Sequence, residues 1–322
     1  ATAATMGQVA LPELRRFKYS NALATGALAA GGTLGILIPP SVILVIYTVL
    51  VEANIATMFL AAFIPGCIAA IGYIIVVMIY VRISPGAGPA GDRSTATERF
   101  AALKQIWTVI LIFIVVIGGI YTGVFTPTEG AAFGAIGTGA MAYFHGGMRK
   151  DGFIESVLGA GQTTGMIFLI VLGADVLNVF LALTQLPQEL AAMILEAELT
   201  PMVVLIIILV FYVIGGCVMD SLSMILLTVP IFWPILAEMD FGMDAEDVKV
   251  WFGIVALIVV ETGLITPPVG MNVFVINSMA KDIPIGQTFK GVTPFIVSDV
   301  VRVGLLVAFP GITLVLVKLF GN

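Results

Sequence analysis

Apolar residues dominate the chain in long runs that are separated by short polar intervals. Most runs approach the roughly 20 residues that an α-helix needs to cross a bilayer. The residue-by-residue alternation that marks the strands of a membrane barrel is absent, so the pattern predicts helices, which satisfy their own backbone in lipid. The runs lie at 21–51, 58–82, 105–121, 129–146, 153–183, 201–237, 249–279 and 289–317. The sequence therefore predicts an all-α, polytopic integral membrane protein.

The longest polar interval, residues 83–99, is rich in Pro, Gly and Ser and indicates a linker between two parts of the chain. Lysine and arginine gather there and in other short intervals, and counting the crossings between these clusters places them all on one side of the membrane. Short cytoplasmic loops are enriched in such residues, so residues 83–104 are predicted to form a cytoplasmic linker. The clusters are Arg15, Arg16 and Lys18; Arg82, Arg93, Arg99 and Lys104; Arg149 and Lys150; and Lys281 and Lys290.

Two of the apolar runs contain adjacent prolines, in GTLGILIPPSVI (32–43) and ETGLITPPVGMN (261–272). Proline removes a backbone donor and clashes with the preceding turn, at about 3 kcal/mol or more in a helix interior. Unwound backbone at membrane depth survives only where protein or a water-filled cavity satisfies it. Both runs are therefore predicted to be interrupted helices that free polar backbone for a binding site.

The two interrupted helices have matching surroundings. Pro65 follows the first pair and Pro294 the second at nearly the same spacing, and a hairpin is expected before each interrupted helix. Because the first helix runs outward and the second inward, the halves are predicted to be inverted-topology repeats. The predicted domains are a first repeat at 1–82, the linker at 83–104, scaffold and connecting helices at 105–200, and a second repeat at 201–322.

The interruptions supply oxygen atoms for a hard cation such as Na⁺, as carbonyls and as the hydroxyls of Thr33, Ser41, Thr262 and Thr266. Charged residues in apolar segments are also site hypotheses by default. Glu261 is equally consistent with support of the site and with a membrane interface. Asp299 and Arg302, three residues apart, are expected to pair on one helix face, although Arg302 could instead bind a substrate carboxylate.

Composition narrows the function further. The chain is 60% hydrophobic and 11% charged, with a net charge of −6, and has no basic cluster of the nucleic-acid type. A single histidine cannot build a catalytic triad or a metal cluster, so an enzyme is not expected. A remote alternative is an intramembrane aspartyl hydrolase that uses Asp175 and Asp220, but it does not explain the inverted repeat.

Taken in order, several stretches resemble the large membrane subunit of tripartite ATP-independent periplasmic (TRAP) transporters, and together they span essentially the whole chain. They are ATAATMGQVALPEL, GGTLGILIPPS, FTPTEGAAFGAI, GCVMDSLSMILLTVPIFWPIL and ETGLITPPVGMNVFVI. The family's amino-terminal scaffold helices and its first hairpin tip have no counterpart here, so the chain is expected to lack the N-terminal part.

The resemblance implies a Na⁺-coupled secondary transporter of the bacterial inner membrane that imports small organic acids by an elevator motion. The implied partners are a small four-helix membrane subunit and a periplasmic substrate-binding protein. A transporter that works without a binding protein and is driven by Na⁺ or H⁺ stays open as the alternative. The implied Na⁺ ligands are Gly32, Thr33, Gly35 and Pro39 in the first interrupted helix, and Gly216, Asp220, Thr262, Gly263, Thr266 and Pro267 at the second hairpin tip and interrupted helix; Ser41, Asn272 and Arg302 are possible substrate contacts.

Overall fold

The computed structural model describes residues 2–89, 91 and 95–320, which are helical almost throughout and contain no strand. The packing of the chain divides it into two compact units, residues 1–90 with 177–322, and residues 91–176. Parts of the predicted first repeat, linker and second repeat, at positions 1, 90, 92–94 and 321–322, lie outside the described residues. Each unit is taken by itself below.

The larger unit contains the two interrupted helices. Its first stretch comprises α1 (Thr2–Arg16), α2 (Asn21–Leu37), α3 (Val42–Leu50) and α4 (Ile55–Ile83). Its second stretch begins at residue 177, in the last part of α8 (Lys150–Thr184). It continues with α9 (Leu186–Glu196), α10 (Pro201–Gly216), α11 (Ser221–Ala237), α12 (Ala245–Gly263), α13 (Met271–Met279), α14 (Ile285–Ala308) and α15 (Gly311–Phe320).

The smaller unit is built from α5 (Ala96–Gln105), α6 (Trp107–Tyr121), α7 (Pro127–Phe144) and most of α8 (Lys150–Thr184), with α6 packed on α7. The start of α7 shows why its sequence folds as it does. Thr126 accepts the backbone N–H of Glu129, and the Glu129 carboxylate in turn accepts the backbone N–H of Thr126. This capping box satisfies two donors that a helix start otherwise leaves without partners.

Apolar length supports a membrane protein. Among the described residues, α4, α8 and α14 are each long and apolar enough to cross a bilayer, and the bent pairs α2 with α3 and α5 with α6 raise the total to five if each pair is one span. Many large hydrophobic side chains on these helices are exposed, as lipid-facing positions are. The chain is thus a multi-pass membrane protein.

Helix α12 is the centre of the larger unit. Every side chain from Val250 to Gly263 is buried, which fits a helix that is apolar on all sides. The indole Nε1 of Trp251 donates to the carbonyl of Leu306 on α14 at 2.9 Å. This contact ties the first half of α12 to the end of α14.

The packing around the two interrupted helices follows one pattern in both stretches. Helix α1 packs on α2 and on α13, while α11 packs on α12 and on α3. Helix α2 packs on α14, and α12 packs on α4. We call α1 and α11 the hairpin arms, because each lies beside the first half of an interrupted helix. Each hairpin arm thus also contacts the later half of the other interrupted helix.

The prediction of one uninterrupted helix over 289–317 is wrong at Phe309 and Pro310. Helix α14 ends at Ala308, and α15 resumes only at Gly311. Proline disfavours the helical conformation of the residue before it and carries no N–H of its own. Phe309 accordingly leaves the helix, with a φ of −130° and a ψ of 73°.

Candidate functional site

The first interruption separates α2 from α3 and bends the chain by 47°. Pro39 and Pro40 have no N–H to give, so the carbonyls of Gly35 and Ile36 lose the donors that a continuous helix would supply. Ser41 restarts the helix, because its Oγ accepts the backbone N–H three residues further on at 3.4 Å. Pro39 and Ser41 are buried, whereas Gly35 and Pro40 are exposed.

The second interruption, between α12 and α13, turns back on itself. Thr266 Oγ1 donates to the carbonyl of Thr262 at 2.7 Å, and the carbonyl of Leu264 accepts the N–H of Asn272 at 3.0 Å. Gly270 makes the turn possible with a φ of +65°, a conformation that L side chains rarely adopt. Pro267 lies at the exposed edge of this turn.

The tip of the hairpin formed by α10 and α11 contacts the second interruption. A Cβ added to Gly263 would lie 2.8 Å from the backbone of Gly216, so only glycines let the hairpin tip and the end of α12 approach this closely. Across the same contact the N–H of Gly270 donates to the carbonyl of Cys217 at 3.2 Å. The structure thus brings together Gly216 and Gly263, as the sequence predicts.

Two glycines near the end of α2 allow a similar close contact, in this case with α1. A Cβ on Gly32 would lie 2.7 Å from the Cβ of Ala3, and one on Gly35 would lie 2.6 Å from Thr2 Cγ2. The end of α2 can therefore lie directly against the start of α1. Glycines thus permit close contact at both interrupted helices. At the second, Gly216 and Gly263 face each other, whereas at the first, Gly32 and Gly35 face Ala3 and Thr2.

A buried polar network connects the first interrupted helix with α4 and α14. Thr33 Oγ1 on α2 lies 3.2 Å from the hydroxyl of Tyr73 on α4, and Tyr73 donates to Asp299 Oδ2 on α14 at 2.8 Å. Thr33 and Asp299 are each 1% exposed. The predicted ligand Thr33 is thus linked through Tyr73 to a buried carboxylate. The hydroxyl of Thr262 donates instead to the carbonyl of Ile258 on its own helix at 2.8 Å.

The pairing of Asp299 with Arg302 is confirmed. Asp299 Oδ1 and Arg302 Nη2 are 2.9 Å apart, and both side chains are buried. The contact meets the distance of an ion pair but not the angle of a hydrogen bond, so the guanidinium nitrogens have no hydrogen-bond acceptor among the described residues. Because Arg302 is only 4% exposed and lies against Asp299, the Asp299 carboxylate is its charge partner.

Glu261, which the sequence leaves between two readings, is fully buried, so the interfacial reading is wrong. Its Oε1 accepts a short hydrogen bond from the hydroxyl of Ser221 at the start of α11. Its Oε2 has no partner among the described residues. The carboxyl therefore lies beneath the hairpin tip, where it ties α12 to α11.

Two other predicted residues contact different parts of the unit. Asp220 is exposed and caps α11, since its Oδ1 accepts the N–H of Ser223 at 3.0 Å. Both of its side-chain oxygens bond to Ser223, and neither bonds to Thr262 or Thr266. Asn272 approaches the first interrupted helix, where its Nδ2 lies 3.5 Å from the carbonyl of Ala29. Asn272 thus bridges the two interrupted helices, and Asp220 does not.

Tyr73 and Ser221 are the members of this site that the sequence analysis missed. Each carries a hydroxyl within or at the start of an apolar helix, and the partner of each is remote in sequence. The only signal was the hydroxyl itself, which for Tyr73 stands in an apolar run and for Ser221 stands beside Asp220. Such a hydroxyl needs a tertiary partner when it is buried.

The oxygens gathered at the interruptions suit a hard cation. Thr33, Ser41, Thr262 and Thr266 offer hydroxyls, and the first interruption offers carbonyls without helical donors. Among the described residues no group of three or more His, Cys, Asp or Glu side chains is placed to hold a metal ion. Hydroxyl and carbonyl oxygens are ligands that hard cations prefer.

Apolar helices that surround two interrupted helices, with a glycine-lined hairpin tip against the second and a buried polar network beside the first, are typical of a multi-pass membrane transport protein. Comparison with known families agrees. The family model described as "Tripartite ATP-independent periplasmic transporter, DctM component" matches residues 1–312, and the chain belongs to this family. The prediction of the family is confirmed, and the hydrolase alternative is wrong because the relatives are permease proteins.

Curated relatives extend over nearly the whole chain. It is 33% identical over its full length to the C4-dicarboxylate TRAP transporter large permease protein DctM of Pseudomonas aeruginosa, and covers 73% of that protein. It is 34% identical over 99% of its length to the sialic acid TRAP transporter large permease protein SiaM of Vibrio cholerae, again covering 73%. It is 29% identical over 92% of its length to the isethionate TRAP transporter permease protein DctMQ of Oleidesulfovibrio alaskensis, and covers 46% of it.

Proposed function

We propose that this chain is the permease subunit of a Na⁺-coupled secondary transporter that imports small organic acids across a bacterial inner membrane. The names of the relatives support the substrate class, because dicarboxylates, sialic acid and isethionate are all organic anions at neutral pH. The family description, a component of a tripartite periplasmic transporter, supports partners. We assign these partners as a periplasmic substrate-binding protein and a small four-helix membrane subunit.

The mirrored packing carries the proposal. In this proposal, α1 to α4 form one inverted repeat and α10 to α14 form the other. Each repeat has a hairpin arm, an interrupted helix and a straight helix. The support is that each hairpin arm contacts both its own interrupted helix and the later half of the other one. Two such halves around a fixed site suit alternating access, in which one body moves against another, as in an elevator.

Cation and substrate take opposite ends of the interrupted helices in this proposal. The carbonyl ends of α2 and α12 carry partial negative charge and hold Na⁺, whereas the amino ends of α3 and α13 carry partial positive charge and face the organic anion. Ser41 and Asn272 lie at those amino ends. Arg302 is enclosed beside Asp299, and we assign it to holding that carboxylate in place of the substrate contact expected from sequence.

Uptake into proteoliposomes tests the function. The complete permease, reconstituted with its membrane partner, should take up labelled succinate, sialic acid or isethionate only when Na⁺ is present outside and the binding protein is supplied. A proton gradient that replaces Na⁺ would refute the coupling ion. Uptake of free substrate at full rate without the binding protein would instead support the binding-protein-independent alternative.

Two variants test the assigned ligands within the same assay. Thr266→Val keeps the shape of the side chain but removes its oxygen, and Asp220→Ala removes the carboxylate at the hairpin tip. Each should raise the Na⁺ concentration for half-maximal uptake about tenfold, since a hydrogen bond or ligand contact to a charged group is worth roughly 1.5–3 kcal/mol. An unchanged Na⁺ dependence in both variants would remove them from the site.

A further inference from the structure

A groove opens between α4 and α14 at the end that the sequence predicts to be cytoplasmic. Its volume is about 320 Å³, and the residues that line it are Val76, Ile79, Tyr80, Ile83, Ser84 and Pro294. Proline has no N–H, so Pro294 cannot donate to the carbonyl of Lys290, four residues before it in α14. The α14 side of the groove therefore lies beside a backbone oxygen that has lost its helical donor.

The groove changes from apolar to polar along its length. Val76 and Ile79 lie deeper in α4, whereas Tyr80 and Ser84 bring hydroxyl groups where that helix ends. Helix α4 has 29 residues, more than the roughly 20 that cross the hydrocarbon core, so its last turn reaches the level of the lipid headgroups. Tyrosine is enriched at that level. An acyl chain therefore fits the deeper part of the groove, and a polar headgroup fits the part at the end of the helix.

Two basic side chains stand at the polar end of the groove. Lys290 precedes Pro294 by four residues and therefore shares its face of α14. Arg82 lies in the last turn of α4, between Ile79 and Ile83. Both basic side chains are exposed, and neither forms an ion pair with a described residue. Their charges are therefore available to an anion from outside the chain.

The headgroup, and not the acyl chain, decides which lipid binds. A chain that enters the groove leaves other lipid chains that are equally apolar, so it gains no hydrophobic free energy. Near a membrane surface each Lys or Arg strengthens the binding of an anionic lipid by about fivefold. Lys290 and Arg82 together should therefore favour an anionic headgroup over a zwitterionic one by roughly 25-fold.

We propose that this groove binds one anionic phospholipid of the cytoplasmic leaflet. An acyl chain lies along Val76 and Ile79, and the phosphate is bound by Lys290 and Arg82. Basic pockets between membrane helices on the cytoplasmic side bind such headgroups. The inference goes beyond the transport function proposed above and does not depend on Na⁺ coupling, because no predicted Na⁺ ligand lines the groove. The bound lipid joins α4 to α14 at the point where Pro294 interrupts the hydrogen bonds of α14.

A lipid titration of the purified permease with its membrane partner, in detergent, tests the site. Phosphatidylglycerol or phosphatidylcholine with the same acyl chains is added, and the lipid-to-detergent ratio that gives half of the thermal stabilisation is recorded. The wild type should respond to phosphatidylglycerol at a ratio about tenfold or more below that for phosphatidylcholine. Lys290→Gln and Arg82→Gln should each raise the ratio for phosphatidylglycerol about fivefold and leave that for phosphatidylcholine unchanged.

Two matched controls separate the groove from the rest of the surface. Lys281 is also exposed and lies in the turn before α14, outside the groove, so Lys281→Gln should stay within about twofold of the wild-type ratio. Ile79→Trp fills the groove and should remove the stabilisation by both lipids. Ile74, 59% exposed against 51% for Ile79, does not line the groove, so Ile74→Trp should titrate as the wild type does.

Each contrary outcome overturns the inference. If both lipids stabilise the wild type at the same ratio, the site does not select an anionic headgroup. If Lys281→Gln weakens the response as much as Lys290→Gln does, the lipid is attracted by the charge of the whole surface and not by the groove. If inorganic phosphate replaces phosphatidylglycerol, the ligand is a free anion and not a lipid. If Ile79→Trp does not fold, the comparison of Lys290→Gln with Lys281→Gln alone decides.

Discussion

Alanine at Gly216 tests whether the hairpin tip must lie against α12. A Cβ at this position would lie 2.7 Å from the carbonyl oxygen of Val260 and 3.3 Å from the Cα of Gly263. Both neighbours are backbone atoms, so the two helices would have to separate by about 0.7 Å to restore ordinary contact. Overpacking costs roughly 1–3 kcal/mol, and alanine regains up to about 1 kcal/mol of helix propensity. With the full gain in helix propensity, the net loss should be up to about 2 kcal/mol.

Gly215, the preceding residue, supplies the matched control. A Cβ there would meet only the end of the Met224 side chain, which is flexible and can rotate away. Gly215→Ala should therefore stay within about 1 kcal/mol of the wild type. The two substitutions add the same methyl group to adjacent positions, so any difference between them comes from what that methyl meets.

Thermal scans of the purified permease measure the effect, with a Na⁺ titration run alongside. Gly216→Ala should lower the transition by about 2–6 °C relative to Gly215→Ala, and should weaken Na⁺ stabilisation if the tip belongs to the cation site. Equal transition temperatures for the two variants would show that the hairpin and α12 are free to separate. That result would refute the reasoning from close backbone contact.

Two further predictions concern contacts outside the cation ligands. The Arg15 side chain hydrogen-bonds to Asp282 at 2.6 Å and holds the pKa of that carboxyl below its usual range. The pair therefore stabilises the fold above about pH 3.9 and loses this effect as the pH falls through the lowered pKa. Asp282→Asn should slightly lower the thermal transition at pH 7, and its difference from the wild type should shrink as the pH falls below about 3.9. Ser221→Ala removes the donor to the buried Glu261 and should lower the free energy of unfolding by about 1–3 kcal/mol. Ser223→Ala removes a hydroxyl on the exposed side and should lower it clearly less in the same thermal scan. Equal losses of stability would contradict the burial argument.

The interruptions were predictable because proline acts locally. A missing N–H at Pro39 or Pro267 affects the carbonyl four residues before it in any fold, so the sequence alone locates the break. The ion pair of Asp299 with Arg302 was predictable for a similar reason, since residues three apart share one face of a helix. These features depend on spacing along the chain and not on what packs against it.

The network around the breaks could not be predicted in the same way. Tyr73 and Thr33 lie on different helices, and their contact depends on how α2, α4 and α14 pack. Asp220, which the sequence predicts as a cation ligand at the hairpin tip, also caps α11 in the structure. The break at Pro310 was missed although proline was visible, because the apolar run continues on both sides of it.

The end of α2 shows why the proposed function puts cation and substrate at different ends of the interruption. An unsatisfied carbonyl in lipid costs several kcal/mol, so the carbonyls of Gly35 and Ile36 need a partner outside their own helix. Thr33 lies within one turn of them, and its hydroxyl donates to the carbonyl of Ala30 at 2.7 Å. This helix end therefore presents oxygen lone pairs at the pole where the helix dipole is negative. Such a surface attracts a cation and repels a carboxylate, so the proposal puts the organic acid at the amino ends that follow the break.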